Sequence, residues 1–190
     1  DAVNSDWMCD SGRLDYKWIG REDRLAKLKG PKGVSAWPSA LKAISDHLAA
    51  AEKGSVAIVA SARQTNEELF LLSCLAKHLG AATDSVARKG KADHLLLVED
   101  RNCNTTGAQL TGITTKRVGS KLSSIAKEIS AGKVKTLIVF GEDVTKHGID
   151  AKLLKKVTLI VSDILPNATT KAADYLLPGC AHAEKRGTFT

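Results

Sequence analysis

A chain of 190 residues with 43% hydrophobic and 26% charged side chains has the composition of a folded domain, not of a disordered segment. Its length suits one domain of ordinary size, with or without an arm, and no run of 18 apolar residues offers a membrane-spanning helix. The net charge of +7 favours anionic partners, yet the 28 Lys and Arg are spread along the chain and aromatics are only 4%, which argues against a nucleic-acid reader built on stacked bases.

The opening Asp1-Ala2-Val3-Asn4 has neither the basic start nor the apolar run of a secretory signal. The four cysteines, Cys9, Cys74, Cys103 and Cys180, form no Cys-x-x-Cys pair, and without a secretory signal they are expected to be reduced. Residues 1–37 stand apart as an N-terminal arm: they hold all three Trp (Trp7, Trp18, Trp37), Tyr16 and a Gly/Lys/Pro-rich stretch from Lys27 to Gly33. That composition predicts an extended arm laying aromatics on another surface. Residues 38–190 read as an α/β domain.

A helix is predicted from Pro38, a residue suited to a first helical position, with Leu41, Ile44 and Leu48 on one face and Gly54 at its end. Ser55–Ala60 is a short apolar run with the character of a strand buried on both faces. Thr65 and Glu68 form a capping box for a helix that stops at Gly80. Its Leu69, Phe70, Leu71, Leu72, Cys74, Leu75 and Leu79 cover most of the circumference, which predicts deep burial with Cys74 as a small core residue. Leu95–Val98 reads as a second strand. A helix capped by Ser120 follows, with Leu122, Ile125 and Ile129 on one face and Gly132 at its end. Val134–Phe140 is a third strand, Asp150 caps a short helix through Leu154, Val157–Val161 is a fourth strand and Tyr175–Leu177 a short fifth. Alternating strands and helices predict right-handed crossovers and a Rossmann-like three-layer α/β domain with a mostly parallel sheet.

Ligands in such sheets bind beyond the carboxyl ends of the strands. Four polar loops lie there: Ser61–Asn66, Glu99–Gly107, Gly141–Gly148 and Ser162–Thr170. The first has no glycine between Ala60 and Thr65, and Glu67 and Glu68 put negative charge on the helix end that a phosphate would seek. No Walker A pattern occurs, so NAD, FAD and ATP are not expected. Cys180-x-His182-x-Glu184 places three metal-capable groups at alternate positions, but no second cluster completes a zinc site, and the segment reads as a polar turn with a half-buried Cys180. Cys103, between Asn102 and Asn104, is a loop thiol without a role, and Cys9 taken alone is a plain thiol.

Several motifs nevertheless occur in a telling order. Val3-Asn4 is followed by Cys9 and Gly12-Arg13, then by Asp23-Arg24-Leu25 and Ser35-Ala36-Trp37-Pro38-Ser39-Ala40-Leu41. Thr65-Asn66-Glu67-Glu68, Asn102-Cys103-Asn104-Thr105-Thr106-Gly107-Ala108 and Asp163 with Thr169 and Thr170 come next. Ala173-Asp174, Leu177-Pro178, Glu184 and Gly187-Thr188-Phe189 close the series. Together they resemble the molybdopterin oxidoreductase superfamily, and within it the large iron–sulfur subunits of NADH:quinone oxidoreductase, respiratory complex I. The resemblance implies a domain interrupted at its C-terminus, because Thr188-Phe189 falls inside the family pattern.

It also implies that Cys9 is the fourth ligand of a [4Fe–4S] cluster in the full-length protein, the other three thiolates coming from elsewhere. Partners would be other peripheral-arm subunits, on the cytoplasmic side of a bacterial inner membrane, in electron transfer from NADH to quinone. Where the family carries G-x-N-P, this chain has Gly141-Glu142-Asp143-Val144, and the acidic Asp143 is less welcoming to a diphosphate. The implied pterin-binding set, Thr65, Asn66, Gly141, Glu142, Asp143 and Asp163, is therefore expected to be vestigial. No catalytic residue is expected, nor molybdopterin, and the segment reads as a scaffold. Two alternatives stay open: a fragment of a catalytic enzyme of formate dehydrogenase or nitrate reductase type, and a stand-alone module for an anion or nucleic acid.

Overall fold

Five short aliphatic segments become the strands of one sheet: β1 Val56–Ala60, β2 Ala82–Asp84, β3 Thr136–Phe140, β4 Thr158–Asp163 and β5 Tyr175–Pro178. The computed structural model describes residues 8, 10–32, 34, 36–93, 95–115 and 117–190. Trp7 and the expected cluster ligand Cys9 lie outside the described residues. The spatial order is β2-β1-β3-β4-β5, and every pairing is parallel. The sheet expected to be mostly parallel is wholly so. All five residues of β1 are buried, as its unbroken apolar run demands of a strand covered on both faces.

The helices are α1 Asp10–Leu14, α2 Trp37–Ala49, α3 Asn66–Leu79, α4 Thr105–Leu110, α5 Leu122–Ser130, α6 Ala151–Leu154 and α7 Ala168–Ala172. Successive strand residues point to opposite faces, and the core divides accordingly. Ala57, Val59, Leu137, Val139, Leu159 and Val161 pack against Leu122, Ile125 and Ile129 of α5 and Leu154 of α6. Val56, Ile58, Ala60, Ile138 and Ile160 pack against Leu48 of α2, Leu69, Leu72, Ala76 and Leu79 of α3 and Ala108 of α4. Each fully buried Leu, Ile or Val contributes about 1.5–3 kcal/mol by leaving water, so two such clusters account for the three-layer arrangement.

Local chemistry sets the helix ends. The Glu68 N–H donates to Thr65 Oγ1 at 3.3 Å and the Thr65 N–H to Glu68 Oε2 at 2.8 Å, the reciprocal cap expected for α3. Gly80 closes it at φ +63°, where a side chain would be strained. Asp150 caps α6 by accepting the Lys152 and Leu153 N–H groups, both at 2.9 Å.

Several expectations are corrected. Phe70 and Leu71 of α3 are 57% and 66% exposed and Cys74 is exposed too, because only one stripe of the helix meets the sheet. On α2 the inward stripe is Ala40, Ile44 and Leu48, while Leu41 faces solvent. That helix ends at Ala49, and Gly54 sits at φ +82° in the turn before β1. Ser120 does not cap α5: Lys121 occupies that position, with its N–H donated to buried Asp84 at 2.6 Å. Leu95–Val98 is not a strand. It belongs to an excursion in which Asp93 Oδ1 accepts the N–H groups of Leu95, Leu96 and Leu97, and Leu95 is 78% exposed. Three donors turned onto one carboxylate cannot form a ladder with a neighbouring strand. The second strand is the short Ala82–Asp84 instead.

Among its described residues the N-terminal segment has α1, a helical turn over Lys17–Gly20 and a turn closed by the Arg24 N–H on the Arg21 carbonyl at 3.3 Å. It then reaches β5, where the Lys29 and Leu176 backbones exchange bonds of 3.0 and 2.8 Å in an antiparallel bridge. Leu25 N–H donates to the Ile164 carbonyl at 2.9 Å on the way. Among the described residues no helix is long and apolar enough to cross a membrane.

Candidate functional site at the topological switch point

From β1 the chain crosses to β2 on one side, and it returns after α5 to lay β3 on the other side of β1. The connections therefore diverge between β1 and β3, and a crevice opens beyond their carboxyl ends. A cavity of about 750 Å³ occupies this place. It draws Ser61, Arg63 and Gln64 from the loop after β1, Gly141 from the loop after β3, Asp163 from the end of β4, and Ile164 and Leu165 from the loop that follows. Cys180, His182 and Lys185 follow β5, and Arg101 and Cys103 come from the excursion. All four loops that the parallel-sheet rule singled out thus contribute.

Its floor is rigid. Ser61 N–H donates to the Phe140 carbonyl and Gly141 N–H to the Ser162 carbonyl, both at 2.8 Å, so the ladder continues into the loops. Gly141 has φ +66°, and a Cβ there would lie 2.9 Å from Gln64 Nε2 and 3.3 Å from Ser61 Cβ. Only glycine lets the two loops approach so closely. Burial pushes the Asp163 carboxyl above its ordinary range, and the nearby Glu142 charge adds to this. The Ile164 N–H at 2.7 Å and the Asn167 amide at 2.8 Å work in the opposite direction. The Arg63 guanidinium, exposed beside the cavity, makes no hydrogen bond or ion pair among the described residues. Trp18 closes one side, its ring 6.0 Å from that of His182.

The N-terminal end of α3, where an anion would be drawn, is already covered by residues 184–190. Lys185 Nζ lies 2.6 and 2.7 Å from the Glu68 carboxylate and 3.1 Å from Gln64 Oε1. Asn66 N–H donates to the Thr188 carbonyl at 2.8 Å, and Thr188 returns its N–H and hydroxyl to Glu67, both at 2.9 Å. The Thr188 N–H holds the Glu67 carboxyl below its ordinary range. Buried Asn104 ties the layer together: its amide donates to Gln64 O and Asn66 Oδ1, and its Oδ1 accepts the Thr190 N–H at 2.9 Å. A Cβ on Gly187 would collide with Thr65, so the strand of residues lies flat on the helix end. Arg24 anchors the start of this strap by gripping both oxygens of Glu184 at 2.6 and 2.7 Å. With the Ala181 N–H, that grip lowers the Glu184 pKa to about 2.

Of the pterin-binding set inferred from the sequence, Gly141 and Asp163 line the cavity, while Thr65 and Asn66 lie beneath the strap. Glu142 turns away: it is buried and held by both terminal nitrogens of Arg88 at 2.6 Å each. Asp143 turns away too, capping the Val144–Lys146 turn and accepting hydroxyls from Thr145 at 2.6 Å and Thr169 at 3.0 Å. Burial works to raise the Asp143 carboxyl, but these hydrogen bonds outweigh it and leave it lowered. The triplet Cys180, His182 and Glu184 does not converge, for His182 meets Trp18, Glu184 meets Arg24 and Cys180 is exposed on the cavity wall. Sequence reasoning missed the strap and the role of Lys185, because contacts between residues 66 and 188 carry no local signal.

A diphosphate fits this helix end poorly. The N–H groups of Thr65, Asn66, Glu68 and Leu69 have partners within the chain, and Glu67 and Glu68 add two carboxylates.

A sequence model of the molybdopterin oxidoreductase family matches residues 82–190, more than half of the chain. The match takes in β2 to β5 and the strap and leaves out β1 and α3. Over 80 residues the chain is 29% identical to a subunit of the NADH-quinone oxidoreductase of Streptomyces coelicolor. That stretch is 40% of this chain and 9% of the relative's length.

Proposed function

Because the chain belongs to the molybdopterin oxidoreductase family, we propose that it is the α/β scaffold of a large iron–sulfur subunit of an NADH-quinone oxidoreductase, with its pterin site given up. The observation that carries this reading is the covered end of α3. The Thr65, Asn66 and Glu68 N–H groups are bonded to Glu68, Thr188 and Thr65, and the Glu67 and Glu68 carboxylates to Thr188 and Lys185, which leaves a poor cradle for the diphosphate of a pterin dinucleotide. The domain's work is then to hold cluster-bearing segments and neighbouring peripheral subunits in place, on the cytoplasmic side of the membrane. Cys9 serves the full-length protein as one thiolate of a [4Fe–4S] cluster completed by three others. Replacing Cys9 by Ser is expected to remove about four iron atoms per protein and the matching electron paramagnetic signal.

The direct test is to purify the full-length protein and measure molybdenum and released guanine nucleotide. Neither is expected. Stoichiometric amounts of either would overturn the scaffold reading in favour of a catalytic molybdopterin enzyme. One observation favours that rival: the switch-point cavity is open and the Arg63 guanidinium beside it has no described partner.

A further inference from the structure

A parallel sheet gathers the amino ends of all its strands on one side, the side opposite the switch-point cavity. The loops that feed three adjacent strands there are rich in lysine: Lys53 before β1, Lys133 and Lys135 before β3, Lys155 and Lys156 before β4. All five are exposed. The β3–β4 register, Thr136 against Thr158, sets these loops side by side, and Thr158 N–H donates to the Lys135 carbonyl at 2.9 Å. Between them lies a cleft of about 540 Å³ lined by Lys135, Lys155, Lys156, His47, Asp174 and Tyr175.

The positive charge in this cleft is poorly compensated. Lys135 meets Glu52 at 2.8 Å, but both side chains are largely in solvent, where such a pair is weak. Lys156 reaches only the Ser130 carbonyl, at 3.5 Å, and Lys155 has no hydrogen bond or ion pair among the described residues. The Asp174 carboxylate is already engaged by the Leu159 N–H at 2.8 Å.

We propose that this cleft is a docking site for an acidic segment of a partner protein, with Lys135, Lys155 and Lys156 receiving its carboxylates. The partner class follows from what the cleft lacks. The Tyr175 ring is buried and the half-buried His47 imidazole is tied to Thr136 Oγ1 at 2.9 Å, so the cleft offers no exposed platform for stacked bases. Asp174 in the cleft and Glu52 beside Lys135 set acids among the lysines, which a nucleic-acid strand charged at every unit tolerates less well than a peptide whose carboxylates are spaced along it. Val157 and Tyr175 are buried and offer nothing to insert into lipid. The site rests on the reading of the domain as a scaffold that docks neighbours, and it names the face that does so. Charge of this kind sets the rate and salt dependence of association.

The test uses a fluorescein-labelled deca-glutamate peptide titrated with the purified chain and followed by anisotropy at low and raised salt. Saturable binding that weakens with salt is expected. The Lys135→Ala/Lys155→Ala/Lys156→Ala variant is expected to bind about tenfold or more weakly. Lys155→Glu/Lys156→Glu is expected to abolish binding, and Lys42→Ala/Lys77→Ala, on α2 and α3, to leave it unchanged. Equal binding by parent and triple variant would overturn the proposal. So would tighter binding of a single-stranded oligonucleotide or an anionic vesicle at matched charge. Molybdenum content reports on the scaffold reading separately: a pterin-loaded protein that still needs these lysines for the peptide would sink that reading and leave the docking face standing.

Discussion

The two ends of the same sheet treat charge in opposite ways. At the carboxyl end, four acids are engaged within the chain, Glu68 by Lys185, Glu142 by Arg88, Glu184 by Arg24 and Glu67 by the Thr188 backbone, and Arg63 is a base left without such a partner among the described residues. At the amino end, five lysines face solvent against two exposed acids, Glu52, paired with Lys135, and Asp174, engaged by the Leu159 N–H. The contrast shows that a net charge of +7 is not spread evenly over the domain: the end of α3 engages its charges within the chain, while the amino side of the sheet leaves its lysines in solvent. It also separates groups that hold the domain together from groups free to serve another molecule.

The sharpest way to break that separation is Arg88→Ala. It strands the Glu142 carboxylate, whose side chain is 0% exposed, and a buried pair broken on one side typically costs about 3–5 kcal/mol, measurable by urea unfolding. Thr65→Ala comes next. Loss of the α3 cap is expected to cost about 1 kcal/mol, and faster hydrogen exchange at Asn66 and Thr188 would reveal the strap loosening with it. If the strap stays protected, it does not depend on the helix end.

Acid offers a milder probe. Glu184 is depressed to about 2 and Glu67 is lowered, so both help the fold above their unfolded values; Glu184 loses that help as pH falls from about 4.5 toward 2, and Glu67 loses its own as pH falls below the ordinary carboxylate range. Asp163, raised by burial, works the other way and destabilises the fold as it ionises. The strap amides are therefore expected to lose protection below pH 4.5 earlier than the amides of β3, and Arg24→Ala should shift that onset upward. The smallest effect belongs to the amino end: Lys135→Ala is expected to change stability by less than about 0.5 kcal/mol, since its Glu52 partner is exposed. A larger loss would make that lysine structural and blur the contrast.

What could be read from the sequence was whatever local chemistry decides. The Thr65–Glu68 box, the Gly80 stop and the Asp150 cap each involve residues a few positions apart, and each is present. Apolar, β-branched runs such as Thr136–Phe140 identified strands, and the loops after β1, β3 and β4 then fell around one cavity; the Glu99–Gly107 loop reaches it too, although the strand expected before it is absent. Ala82–Asp84 escaped notice because three residues carry no period, while Leu95–Val98 misled because four apolar residues look alike in a strand and in a turn. The exposure of Phe70 and Leu71 depends on where the sheet lies, which the helix's own composition does not encode. The absence of a glycine between Ala60 and Thr65 is plain in the sequence; that Lys185 and Thr188 would come to sit on the end of α3 is a tertiary fact.

The flanks of the sheet carry a last consequence. One border strand, β2, has three residues, and the other, β5, is already bridged to the arm at Lys29. Neither margin presents the long row of vacant donors and acceptors that lets a foreign polypeptide add on and start a fibril. The sheet's own topology thus guards it against edgewise recruitment, so a contact with a neighbouring chain would fall to side chains and not to backbone.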